Sequence, residues 1–314
     1  MADQPRRAIP KLGYLCLSEN PSAEAGRALV RQFVLVREAD RMGYDDIWLV
    51  ERHGDPTLPS GAITALLGHL TGVTSKARIG AVLQPSGRNA VQLAEDLATV
   101  ELLSRGRLAL AADAQAEAQD QAQHKAQDKA RDKARDKAGD AGLQALAALR
   151  TRLGGTPDGL VPRPSGRTLP AWAMTDQAES VRHAALLGLG LWLPPTLALA
   201  DLASLLALYS ASVSDSDSGP MPLLTRYACP AASREEALAI ARPYLESRHA
   251  PGEVEALLAQ SLVGSHAEVA AQIKKMEADL GLHGVVVVPM SAHFDTAKHI
   301  LADMVDEVRP LLDE

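Results

Sequence analysis

Eight times along this chain a short apolar run gives way to a longer stretch with helical spacing, and that rhythm limits the possible folds more than any other feature. The runs are KLGYLCLS (11–18), IWLVE (47–51), RIGAVLQP (78–85), RLALAA (107–112), LPAWAM (169–174), LWLPP (191–195), PLLTRYA (222–228) and GVVVVPM (284–290). Near-continuous apolar strands belong to parallel sheets that are covered on both faces. The intervening periodicity predicts helices over 23–43, 61–74, 89–104, 179–190, 199–211, 233–248, 253–281 and 295–312. Gly43 is a stop for the first, and Asn89 is a candidate N-cap for the third. Eight such units close most naturally into a (β/α)8 TIM barrel, and 314 residues suit one such domain over 1–314. An open doubly wound sheet is the runner-up, but no glycine-rich phosphate loop follows the first strand.

Residues 113–142, DAQAEAQDQAQHKAQDKARDKARDKAGDAG, break the rhythm. A four-residue unit, D-K-A-[R/G], recurs from Asp128 to Asp140, with Lys129 and Lys133 each three residues before an aspartate. Four residues turn a helix by about 400°, so like side chains spiral around it and form no apolar stripe. The expectation is a low-complexity charged excursion, either a solvated helix or disordered, with His124 in solvent.

The 46 % hydrophobic content supports a full core, but aromatics make up only 3 %, which leaves packing mainly to Leu, Val and Ala. A net charge of −7 argues against a nucleic-acid partner. Cys16 and Cys229 are far apart and in no ligand spacing, so neither a disulfide framework nor a metal site is expected. No stretch approaches the roughly 20 apolar residues of a membrane span, and the first 18 residues contain no cleavage-type site. A cytoplasmic protein without a membrane partner is expected.

The second run, DDIWLVERHG (45–54), passes from an apolar strand straight into Glu51, Arg52 and His53. In a barrel of this kind functional groups stand at the C-terminal strand ends, which would put these three at the mouth. Simple ion pairing at the rim is the competing explanation. His69 and His183 lie on predicted helices and read as packing or surface groups, whereas His293, just past the last strand, could approach the mouth. Met290 and Trp192 at strand ends read as core or pocket lining. Cys16 reads as an inert core thiol.

READRMGYDDIWLVERHG, SKARIGAVLQP and NAVQLAEDLATVELLSRGRLAL, followed by LPAWAMTDQAESVRHAALLGLG and LVGSHAEVAAQIKKMEADLGLHGVVVVPM, resemble in order the motifs of the bacterial luciferase-like flavin-dependent oxidoreductases. The resemblance covers 11–112 well, and 168–190 and 260–314 fairly. It implies a (β/α)8 barrel, often dimeric, that uses reduced FMN supplied by a separate flavin reductase, or in some branches F420. Such an enzyme oxidises a small organic substrate with O2 in an apolar, water-poor pocket. The implied partners are a small-molecule substrate, the reductase, and a second copy or a homologue.

Carried over residue by residue, the resemblance makes His53 and Arg52 the catalytic candidates and Glu51, Val82, Asp113, Gln177 and Ser180 the cofactor-binding ones. Arg52 stands where the family has its acid–base histidine. Arginine stays protonated, so Arg52 would steady an anion, and His53 would move protons if it turns inward. The arginine that grips the FMN phosphate falls on Ala114, beside the acidic Asp113. The phosphate serine falls near Gln177, with Ser180 within slippage. The missing charge-assisted contact is worth about 1.5–3 kcal/mol. Three readings follow: a two-component luciferase-like monooxygenase; a non-catalytic partner subunit or binding protein without cofactor; and a barrel enzyme using Arg52 and His53 without flavin.

Overall fold

The computed structural model describes residues 11–21, 24–114, 131–155, 159–213, 219–282 and 284–312. The elements run β1 (Lys11–Cys16), α1 (Ala25–Met42), β2 (Asp46–Val50), α2 (Ile63–Val73), β3 (Arg78–Leu83), α3 (Ala90–Leu103), β4 (Leu108–Asp113), α4 (Arg131–Gly154), β5 (Ala171–Met174) and α5 (Ala178–Leu186). They continue with β6 (Gly190–Leu193), α6 (Leu199–Ser212), β7 (Leu223–Ala231), α7 (Arg234–Glu246), α8 (Pro251–Gln260), β8 (Leu262–Ser265), α9 (His266–Leu280), β9 (Gly284–Pro289) and α10 (Phe294–Asp303). A single π-helical turn, Met304–Val308, and α11 (Arg309–Leu312) complete the last helix.

All pairings are parallel, in the order β6-β5-β4-β3-β2-β1-β9-β7, and β6 pairs with β7 to close an eight-stranded ring. The expected (β/α)8 barrel is therefore the observed fold. The ninth strand, β8, pairs only with the far end of β7, from Ala228↔Leu262 to Ala231↔Ser265.

That strand corrects one expectation, because 253–281 is not a single helix. It is the end of α8, then β8, then α9. The break has local causes. Ser265 and Glu268 form a reciprocal capping box that starts a new helix, with Glu268 Oε2 accepting the Ser265 N–H at 2.7 Å. Gly264 has φ +152, and a Cβ there would lie 2.6 Å from Glu268 Oε2.

Helix α4 is not among the helices that periodicity predicts. It starts inside the charged repeat and buries Leu143, Leu146, Leu149 and Leu153 at helical spacing, so the helix owed to the fourth strand is present. Residues 115–130, with His124, Asp128 and Lys129, lie outside the described residues.

Each strand divides its side chains between two cores. Ile47, Leu49, Ile79, Leu110 and Val287 face the helices, whereas Trp48, Val50, Val82, Ala111 and Val286 fill the barrel. Scarce as aromatics are, the three tryptophans dominate the interior. Trp48 packs edge-on to Trp172 at 5.5 Å and to Trp192 at 4.5 Å between centroids. Glycine makes the room, since a Cβ on Gly80 would sit 2.3 Å from the Trp48 ring. Arg78 pairs with Asp46 at 2.6 Å and lies 4.9 Å over Trp172. This closes the N-terminal end of the barrel and leaves the C-terminal end as the place for chemistry.

Candidate functional site

Trp48 and Val50 of β2 point inward and Leu49 outward, and the same alternation carried past the strand end puts Arg52 on the inward phase and Glu51 and His53 on the outward one. Glu51 is therefore no wall of the mouth. Fully buried, it accepts the Gln84 backbone N–H at 2.7 Å and Arg88 Nη1 at 3.0 Å, and it holds His53 Nε2 at 3.0 Å. The Gln84 side chain returns to the Glu51 carbonyl at 3.4 Å. This carboxylate clamps the ends of β2 and β3 together, and its charge-assisted donors offset its burial.

Arg52 turns toward the mouth. Its Nη2 lies 3.5 Å from Asp113 Oδ2 at the end of β4, and its Nη1 donates to the Glu51 carbonyl at 3.3 Å. Val50, Val82 and Ala111 are in register one inward layer below, so this ion pair roofs Val82. Val82 is buried among Trp48, Val50 and Ala111 as part of the apolar floor. His53, with 52 % of its side chain exposed, stays on Glu51 outside the wall.

On the β5 side, Ala114 is buried and donates its N–H to the Met174 carbonyl at 3.1 Å. Gln177 is an exposed N-cap of α5 without a side-chain cap. Its backbone N–H goes to Thr175 Oγ1 at 3.1 Å and its amide to Asp176 Oδ1 at 2.5 Å. Ser180 is buried in the first turn of the same helix. The structure thus brings together Glu51, Arg52, Val82 and Asp113. Gln177 and Ser180 lie at the start of α5, which follows β5, and His53 joins the group through Glu51.

Three residues that the sequence reading passed over complete the rim. Arg88 is the partner of Glu51; a lone cation in the QPSGRNA loop between strand and helix was its only signal. Glu19 and Arg248 pair at 2.5 Å beyond the end of β1, where Tyr244 also donates to Glu19 at 3.0 Å. No sequence signal links them.

A cavity of about 60 Å³ opens at the ends of β1 and β9 against α1, bordered by Leu17, Ser18, Gln32, Val288 and Ser291. Gln32 is buried there with Oε1 unpartnered. Cys16 is a buried thiol whose pKa burial raises. His69 stacks on Phe33 at 4.1 Å, His183 binds Asp140 at 2.9 Å, and His293 is exposed. Among the described residues no cluster could hold a metal ion, and no helix is long and apolar enough to cross a membrane.

Comparison with known proteins agrees with this architecture. The monooxygenase RslO1 of Streptomyces bottropensis superposes with a TM-score of 0.76 at 19 % identity, over 96 % of this chain and 99 % of that one. The oxygenating constituent of 3,6-diketocamphane monooxygenase from Pseudomonas putida, solved with FMN, gives 0.78 at 15 % identity, over 96 % and 98 %. An F420-dependent secondary alcohol dehydrogenase gives 0.69 at 16 %, over 95 % and 99 %. In sequence, the uncharacterised protein YvbT of Bacillus subtilis (strain 168) is 37 % identical over 78 residues, which is 24 % of this chain and 23 % of that protein. The profile of the luciferase-like monooxygenases matches residues 11–284, and the chain belongs to that family.

Proposed function

We propose that this protein is a flavin-dependent oxidoreductase working at the barrel mouth, in the monooxygenase mode, on a small organic substrate. Reduced flavin would come from a separate reductase. The observation that carries this reading is Arg52, a permanently charged group held at the inner edge of the mouth above an apolar floor.

The site fits one end of a flavin and not the other. Val50, Val82, Met174 and Trp192 form a buried apolar bed beneath the Arg52–Asp113 pair, and a planar ring reaching it would meet little water. For the phosphate of FMN the fit fails. Ala114 offers a methyl group, and the rim arginines Arg52, Arg88 and Arg248 are each paired with a carboxylate. Arg31, which borders the cavity beside β1, stands on α1 outside the barrel wall.

Bound reduced flavin would supply the electrons that activate O2. The chain's own contributions are narrower. Arg52 steadies negative charge that develops above the floor, because a preorganised donor in a water-poor site costs no reorganisation. Glu51 fixes the backbone on which Arg52 stands. In this reading His53 is a positioning residue on Glu51, since its Nε2 is already engaged there. A deazaflavin such as F420 shares the ring and fits the same floor.

A non-catalytic partner subunit is the second reading, and the paired rim arginines favour it. The two separate in one experiment: anaerobic titration of the purified protein with reduced flavin, then O2 uptake with candidate substrates. Micromolar binding with substrate-dependent uptake supports the enzyme, whereas no binding of any flavin in either redox state removes it.

A further inference from the structure

We infer that the mouth selects a flavin whose ribityl tail ends without phosphate, riboflavin or a comparably uncharged flavin, over FMN or F420. The inference rests on the flavin reading above and concerns which member of that chemical class the rim admits.

Charge points that way first. Glu19, Asp113 and Asp176 stand around the mouth against Arg52 and Arg248, and Arg88 is held on the buried Glu51. Arg52 pairs with Asp113, Arg88 with Glu51 and Arg248 with Glu19, so a dianionic phosphate has to displace a carboxylate or lie beside one.

The N-terminus of α3 is also committed. There the Asn89 side chain accepts the N–H groups of Val91 at 3.0 Å and Gln92 at 3.2 Å. At α5, whose N-cap Gln177 makes no side-chain cap, Asp176 and Glu179 set carboxylates beside the first turn. Those negative charges offset the dipole that would otherwise draw an anion to α5.

Neutral groups stand near these charges: the Gln84 amide, which donates to the Glu51 carbonyl at 3.4 Å, and the buried Thr175 hydroxyl, which accepts the Gln177 N–H at 3.1 Å. A ribityl hydroxyl can share such neutral groups, whereas a phosphate gains no charge-assisted contact from them. A phosphate without a charge-assisted partner forfeits roughly ten- to a hundredfold in affinity.

The test is an anaerobic titration of the full chain with riboflavin and with FMN, each oxidised and reduced, followed by flavin fluorescence at low salt and at about 0.5 M salt, where exposed charges are screened. Riboflavin binding at least tenfold more tightly than FMN, with the gap narrowing in high salt, is the expected result. Glu179→Gln, on the exposed turn of α5, tightens FMN severalfold and leaves riboflavin unchanged, and Asp113→Asn, which releases Arg52 toward the phosphate, raises the affinity for FMN relative to riboflavin severalfold. Circular dichroism of both variants shows whether they fold, and Glu179→Gln retains the test if Asp113→Asn does not. FMN binding as tightly as riboflavin, or more so, overturns this inference alone. Failure of both flavins to bind in either redox state overturns the flavin reading beneath it.

Discussion

Arg52 Nη2 stands 3.5 Å from Asp113 Oδ2, a contact between residues 61 apart in sequence that joins the ends of β2 and β4 across the top of β3. It places a fixed positive charge at the mouth and ties it to a carboxylate. The reactivity and the charge selectivity proposed for the site both depend on this pair.

Replacing Arg52 with alanine removes the anion-holding group without touching the floor. Turnover with reduced flavin and O2 should fall roughly 10²- to 10³-fold. Stability should change by less than about 1 kcal/mol, because the pair is partly solvated. Steady-state kinetics beside a thermal melt decides it, and unchanged turnover reduces Arg52 to scaffolding.

Glu51→Leu leaves the Gln84 N–H and Arg88 without their acceptor at the top of β2 and β3. The cost should be about 2–4 kcal/mol, at the lower side of a broken buried pair because Arg88 is partly exposed. Urea unfolding measures it. His53→Ala, which removes only the exposed partner, should cost well under half as much.

Trp48→Ala empties the middle of the barrel interior and should destabilise by roughly 3–5 kcal/mol. Gly80→Ala forces a methyl group against the same ring and should cost about 1–3 kcal/mol from overpacking. If both variants melt with the parent, the tryptophan cluster is not what fills the barrel.

Arg226 points the other way. It is fully buried on the outward phase of β7, and Nη1 alone has a partner, the Pro195 carbonyl at 3.1 Å; Nε and Nη2 have none. Burial lowers its pKa to about 10. Arg226→Met, of similar length and without charge, should raise stability by roughly 1–3 kcal/mol. A lower urea midpoint would show that the guanidinium is needed where it stands.

Burial, and secondarily the charge of Asp303, pushes the Cys229 thiol up to about 12 from an ordinary value of 9.0. The folded state therefore favours the neutral thiol. Its contribution is complete below pH 9 and is lost as pH rises toward 12, by at most roughly 1.4 kcal/mol per pH unit. Cys229→Ala should flatten the alkaline limb of the stability curve relative to the parent. A thiol reagent at pH 8 should label neither cysteine until the chain unfolds, and fast labelling of the native protein would contradict the burial.

Much of the barrel was legible because parallel strands buried on both faces leave continuous apolar runs, and the helices between them keep a 3.6-residue period. Helix α4 was obscured although Leu143, Leu146, Leu149 and Leu153 carry that period, because the Asp-Lys-Ala repeat that leads into them has none. Strand β8 was lost inside an apolar helical pattern, although the serine and glutamate of its capping box were in view. For the site, Glu51 and Arg52 were legible from their position at a strand end, and Asp113 only through the resemblance of its stretch to the family's motif.

The sequence by itself determined the number and order of the barrel strands, the closed parallel architecture, and the Glu51-Arg52-His53 group at the end of the second strand. Only the tertiary structure decided which of those residues face one another. When both faces of a strand are apolar, its two-residue period shows no contrast, so the letters cannot say which phase points to the axis. Closure of the ring decides that. It turns Trp48, Val50 and Arg52 inward, leaves Glu51 and His53 outside, and brings Asp113 to Arg52 across a strand that neither belongs to.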